Sequence, residues 1–256
     1  MAPTSICPRA TARGILLTAL LLGASAPASA QERPPAPAIA ADRPGAGTGS
    51  HVLAGGIFQA EGGLEYAESA VADRYSFGQI LLRYGLPAVE VRAGLNSFVV
   101  QRGGAEEEGF EDVTAGVKVP VIREFSFQGS LLAGVTLPTG ARPFTADDPV
   151  FETSALADWS PSGPTSLSLN VGYASSFDGG GVVSVSATPS LSVPGAEGLG
   201  LYAGYAGTFS DGADRNLAEA GLTYLVGSET QVDLNGGFEL GSDDFFLGVG
   251  LARRFR

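Results

Sequence analysis

Residues 243–256 read D-D-F-F-L-G-V-G-L-A-R-R-F-R. On a strand, successive side chains point to opposite faces. Phe245, Leu247, Val249, Leu251 and Phe255 share one face, and Phe246, Gly248, Gly250, Ala252 and Arg254 share the other. A strand that is large and apolar on one face and mostly small on the other fits a wall between lipid and a crowded lumen. The competing reading of this stretch is the edge strand of a soluble β-sandwich.

The opposite end of the chain favours the membrane. Residues 1–30 have the form of a secretory signal. Arg9 and Arg13 supply the positive region, Ile15 to Leu22 the apolar run, and Ala28-Ser29-Ala30 the small-residue cleavage site. That run is short of the roughly 20 apolar residues a spanning helix needs. An exported chain without such a helix crosses a membrane only as a closed barrel, because hydrocarbon leaves no other way to satisfy the backbone. The only cysteine, Cys7, lies within the signal, so the mature chain is expected to have no disulfide and no cysteine metal site.

Composition points the same way. The chain carries 37 glycines in 256 residues, about twice the usual share of roughly 7%. Charged residues make up 16%, against about 25% in a soluble domain. A formal net charge of −12 argues against a nucleic-acid partner, since no basic stripe offsets phosphate repulsion.

Residues 31–50 form a Pro/Ala/Gly-rich leader without periodicity. Its plain expectation is a disordered periplasmic tail, and its sharper alternative is a short plug folded into the lumen. Residues 51–256 break into about twelve alternating segments: 52–66, 75–86, 89–101, 111–121, 125–137, 150–159, 165–175, 182–193, 199–209, 217–226, 230–240 and 244–255. Odd-numbered connections read as mostly long, polar or acidic, even-numbered ones as mostly tight. With both termini in the periplasm, that alternation places the odd connections outside. The predicted fold is all-β: a single antiparallel up-and-down transmembrane β-barrel in the outer membrane.

Parity then sorts the strand residues. Phe58, Leu64, Tyr66, Ile80, Leu82, Tyr84, Leu131, Leu169, Leu201 and Leu234 are among those expected to face lipid. A cation there at mid-membrane costs about 2–4 kcal/mol, so strand charges should face inward. The lumen-lining candidates are Glu61, Glu65, Arg83, Glu90, Arg92, Lys118, Glu152, Asp158, Glu219, Asp233 and Glu239. Eight carboxylates against three cations would favour cations or neutral solutes over anions.

Motifs for chemistry are sparse. The one histidine, His51, reads as a solvated strand-end residue, and no G-x-S-x-G nucleophile elbow is present. The acidic clusters Glu106-Glu107-Glu108, Asp147-Asp148 and Asp243-Asp244 fall in outer loops. They lack calcium-loop spacing and read as solvating and steering charge, with cation bridging to lipopolysaccharide as the alternative. No enzyme, cofactor or metal is expected.

Several segments together resemble the exported family described as "putative MetA-pathway of phenol degradation". They are Asp42-Arg43-Pro44, Q-A-E-G-G-L-E-Y from Gln59, L-L-R-Y-G-L from Leu81, V-R-A-G-L from Val91 and D-V-T-A-G-V-K from Asp112. Further on come L-L-A-G-V-T-L-P-T-G from Leu131, G-L-T-Y-L from Gly221 and D-D-F-F-L-G-V-G-L from Asp243. The resemblance implies an envelope barrel that moves small, aromatic or hydrophobic compounds, and it brings no catalytic or ligand residues. Barrels of this kind commonly end on an aromatic residue, whereas Arg256 follows Phe255 here. The expected partners are outer-membrane lipid and lipopolysaccharide, the barrel-insertion machinery and a small-molecule solute. The alternative function is a closed structural or adhesive barrel acting through its acidic loops.

Overall fold

The computed structural model describes residues 38–104, 106–176, 180–211 and 214–256. The expected signal, Cys7 and the first residues of the leader lie outside them. Thirteen strands are present among the described residues. In chain order they are β1 Phe58–Glu68, β2 Asp73–Gly85, β3 Glu90–Arg102, β4 Glu107–Phe110, β5 Val113–Arg123, β6 Phe127–Leu137 and β7 Val150–Trp159. They continue with β8 Thr165–Ser176, β9 Val182–Ser192, β10 Leu199–Phe209, β11 Arg215–Leu225, β12 Thr230–Glu239 and β13 Phe245–Phe255.

Each long strand pairs antiparallel with its neighbour, and β13 returns to β1 in unbroken register from Phe58↔Phe255 to Glu68↔Phe245. The wall is thus a closed up-and-down barrel of twelve strands. The thirteenth, β4, pairs only with the end of β3. Closure removes the sheet edges that would otherwise leave backbone groups unpaired in lipid.

Three sequence expectations need correction. The first strand begins at Phe58 rather than Val52, because the chain up to Ile57 belongs to the leader. Part of the loop at 102–109, with its acidic cluster, is the strand β4. Of the odd connections only two are long, those between β3 and β5 and between β6 and β7; the others are about as short as the even ones.

The molecule is built inside out. Leu64, Leu131, Val171, Leu234, Leu247 and Leu251 are half or more exposed on the outer face. The largest fully buried side chains are Arg83, Lys118, Gln59, Glu90 and Val99. Aromatic pairs mark both rims: Phe58 with Phe255 near the termini, and Tyr66 with Tyr75 and Phe245 at the far end. Such girdles sit where the membrane meets water.

Two irregularities shift the inward–outward alternation. Tyr75 and Phe77 face outward, as do Ile80, Tyr84 and, by parity, Leu82, so β2 must gain a residue between them. Gly78 and Gln79 supply it as a bulge, with φ of 110° and 44°. Asn96, at φ 46°, makes the matching shift in β3. The bulge in β2 aims Gln79 into the lumen.

The two long connections fold together at the far mouth around Asp112. Its carboxylate accepts the backbone N–H of Thr139, Gly140 and Ala146 and the hydroxyl of Thr145, at 2.7–2.9 Å. Burial works to raise its pKa, and these donors more than offset it, holding the carboxyl below its ordinary value.

Candidate functional site

Residues 38–57, the described part of the leader and the stretch that joins it to β1, lie inside the barrel. This is the plug form of the two expectations, and the periplasmic tail is not what the described residues show. Ile39 donates its N–H to Ser228 O at the mouth where β1 begins and β13 ends (2.9 Å). The chain then climbs to a turn at 43–47 and descends to His51 and Leu53 before entering β1. A segment so short of side-chain volume has no core of its own, so it is ordered by what its backbone bonds to.

Six backbone N–H groups of the leader donate to side chains of the wall. Glu61 accepts from Asp42 and Arg43, both at 3.0 Å. Glu219 accepts from Ala46 (3.0 Å), and Asn170 from Thr48 (2.6 Å) while returning a bond to the Thr48 carbonyl (2.9 Å). Asp158 accepts both the N–H and the hydroxyl of Ser50 at 2.7 Å, and Glu90 accepts from Leu53 at 2.9 Å. Bonds to charged groups contribute roughly 1.5–3 kcal/mol each. Much of the acidic lining therefore serves as a rack for peptide N–H groups.

On the side of β1, β2, β3 and β5 a charge-balanced cluster holds the leader. Arg83 is fully buried and grips Glu90 with two bonds (2.8 and 2.9 Å) and Glu61 with one (2.9 Å). Lys118 and Arg92 reach Asp42 at 3.0 and 2.9 Å, and Arg83 lies 3.4 Å from it. The wall alone brings three cations against Glu61 and Glu90, and Asp42 of the leader supplies the third negative charge. Burial works to raise the Asp42 carboxyl, but Arg83, Lys118 and Arg92 outweigh it and hold the group at about 2. Burial and the same cations Arg83 and Lys118 push the His51 imidazole below its usual value. The His51 carbonyl meanwhile accepts from Arg83 and Lys118.

The other side of the leader, against β9 to β13, is looser. Arg43 donates to Gln79 at 2.5 Å but stands 3.7 Å from Asp233. Both Asp233 carboxylate oxygens, Asn235 Oδ1, the Tyr202 and Thr188 hydroxyls and Arg43 Nε are buried without a hydrogen-bond partner. Gly63 and Gly250 face each other across β1 and β13, and a Cβ on either would meet the Arg43 guanidinium within 2.5–2.7 Å. The small inner face of the last strand is thus the seat of Arg43.

The remaining candidates lie higher. Glu65 accepts from Gln79 (3.2 Å), and Glu239 pairs with Arg215 (2.8 Å). Glu152 shares the inward parity of Asp158 but is exposed near the far mouth. Sequence reasoning missed Asp42, Arg43, Asn170 and Gln79. Its parity argument covered charged strand residues only, so leader residues and neutral amides carried no signal.

The leader divides the interior. Above its turn lies a vestibule of about 580 Å³, with Arg43, Gly45, Ala46, Glu219 and Asn235 among its lining. On the terminal side are cavities of about 610 and 270 Å³ beside residues 50–55 and 40–42. Among the described residues, no group of His, Cys, Asp and Glu is placed to hold a metal ion.

Residues 41–255 match the family described as "Putative MetA-pathway of phenol degradation". The fold is similar to that of an outer membrane channel from Pseudomonas putida F1, with a TM-score of 0.63 and 13% identity over 83% of this chain and 99% of that one. A NanC porin structure matches with a TM-score of 0.55 and 7% identity, over 77% and 98% of the two chains. The KdgM porin in complex with disordered oligogalacturonate matches with a TM-score of 0.52 and 10% identity, over 77% and 99%. No curated protein matches in sequence.

Proposed function

Because the chain belongs to the family described as "Putative MetA-pathway of phenol degradation", we propose that it is an outer-membrane channel for passive passage of small solutes, aromatic or hydrophobic compounds among them. The observation that carries this reading is a closed barrel with cavities above and below a leader that is bonded to the wall but not paired into it as a strand. Such a segment is displaced without breaking the barrel's own ladders, whereas a thirteenth wall strand is not. On this reading the eleven inward charges line the route, and export and insertion follow the usual outer-membrane path. The likeness to solved channels supports the fold of such a pore.

The bonded leader also favours a second reading, a closed structural or adhesive barrel whose Asp112-centred loops form the working surface. Single-channel recording in a planar bilayer separates the two. Residues 31–256 are refolded, with and without residues 31–50, and heat-modifiable gel mobility confirms the barrel. Discrete ohmic steps that grow when the leader is removed support the channel. Silence from both folded forms overturns it in favour of the closed barrel.

A further inference from the structure

We infer that the vestibule above the leader is a binding site for an organic ammonium ion with an apolar or aromatic body. This deepens the channel reading by giving the charge class of the solute held at the mouth, and it rests on that reading only for passage after capture.

At about 580 Å³ the vestibule falls within the range of roughly 300–1,000 Å³ typical of small-molecule sites. Phe246 and Leu217, both on the inward parity of their strands, give it an apolar wall. Its charges do not cancel. Arg215 is paired with Glu239 at 2.8 Å, Arg74 is bonded to Glu111, and Arg43 has Asp233, outside the vestibule's lining, as its carboxylate at 3.7 Å. The carboxylates of Glu65 and Glu219 have no cation beside them among the described residues. Glu65 accepts only the Gln79 amide, and Glu219 accepts the Ala46 N–H. Glu219 is buried and Glu65 half-buried. Two such carboxylates facing a common cavity attract a cation most where water is least able to screen them.

Asn235 gives an independent pointer. It is 8% exposed, lines the same cavity, and its Oδ1 has no hydrogen-bond partner. A carbonyl oxygen accepts from an N–H and offers nothing to a carboxylate. The site therefore combines an acceptor and uncompensated negative charge at its floor with the Phe246 ring and Leu217 on its wall. That set satisfies an ammonium head and an apolar body together, and leaves an anion or a neutral alcohol less well held.

The test is isothermal titration of the folded chain in detergent with 2-phenylethylammonium, 3-phenylpropionate and 2-phenylethanol. We expect the ammonium to bind at least about tenfold more tightly than either analogue, a factor that corresponds to about 1.4 kcal/mol. Glu65→Gln and Asn235→Ala should each weaken it about tenfold. Arg215→Gln, which frees Glu239, should tighten it severalfold, a direction that damage to the fold does not produce. Equal binding of the analogues, no binding, or indifference to Glu65→Gln and Asn235→Ala overturns the inference. The same protein is recorded in a bilayer. Binding without conductance upholds the site and sinks the channel, and conductance without binding does the reverse.

Discussion

The leader meets the wall on two sides, and the two contacts are built differently. Toward β1, β2, β3 and β5, three carboxylates and three cations interlock at 2.8–3.4 Å, with one charge contributed by the leader. Toward β9 to β13, the carboxylate of Asp233 has only Arg43 at 3.7 Å, and several buried polar atoms are unbonded. A buried charge is expensive unless paired and hydrogen-bonded. The first contact meets that requirement and acts as the latch. The second, at Asp233, does not, although Glu219 and Gln231 bond the leader backbone on the same side, and we expect the leader to give way there first.

That asymmetry is open to measurement. Arg83→Met should have the largest effect, because it leaves Glu61, Glu90 and Asp42 buried with less compensation. We expect a loss of about 3–5 kcal/mol, read as a lower temperature for the gel-mobility shift of the folded barrel. A shift within error would mean the cluster is not the latch. Asp42→Asn should loosen the leader by about 2–3 kcal/mol while the barrel persists. A spin label on a cysteine at Ala41 reports it as increased mobility, since residues 31–256 contain no cysteine.

Asp233→Asn sharpens the contrast. Neutralising an unbonded buried carboxylate removes a desolvation cost along with a weak ion pair, so the change should stay within about 1 kcal/mol. If the label at Ala41 loosens as much as in Asp42→Asn, the two sides are equivalent and the comparison fails.

Acid gives a further handle on the latch. The Asp42 carboxyl is held at about 2 against an ordinary 3.8. Its contribution is therefore fully present above the ordinary value and is lost as pH falls from 3.8 toward 2. Label mobility in the Asp42→Asn protein should lack the portion of the acid transition that falls in this window. The smallest expected effect on the leader, which lies far away, is that of Asp112→Asn. It should expose the loop at 138–149 to proteinase K, a local loss of about 1–3 kcal/mol, and leave the Ala41 label unchanged.

Much of the barrel was legible because membrane and backbone impose a period on the sequence. Phe245, Leu247, Val249 and Leu251 alternate with Phe246, Gly248, Gly250 and Ala252, and few other structures tolerate that pattern repeated through the chain. The bulges at Gly78 and Asn96 were not legible, because a single inserted residue looks like imprecision in a strand boundary. The leader was least legible of all. The Asp42-Arg43-Pro44 motif stands out, yet nothing local says that Asp42 meets Arg83, Arg92 and Lys118.

The residue sequence alone therefore settled the class of fold, since that comes from alternation and composition along the chain. Only the tertiary structure decided where residues 38–57 go and what the inward charges do. Glu61, Glu90, Asp158 and Glu219 lie on four different strands, β1, β3, β7 and β11, and barrel closure alone brings them around one peptide. The partners of a backbone N–H are set by distance in space, and a segment without a periodic pattern carries no record of them.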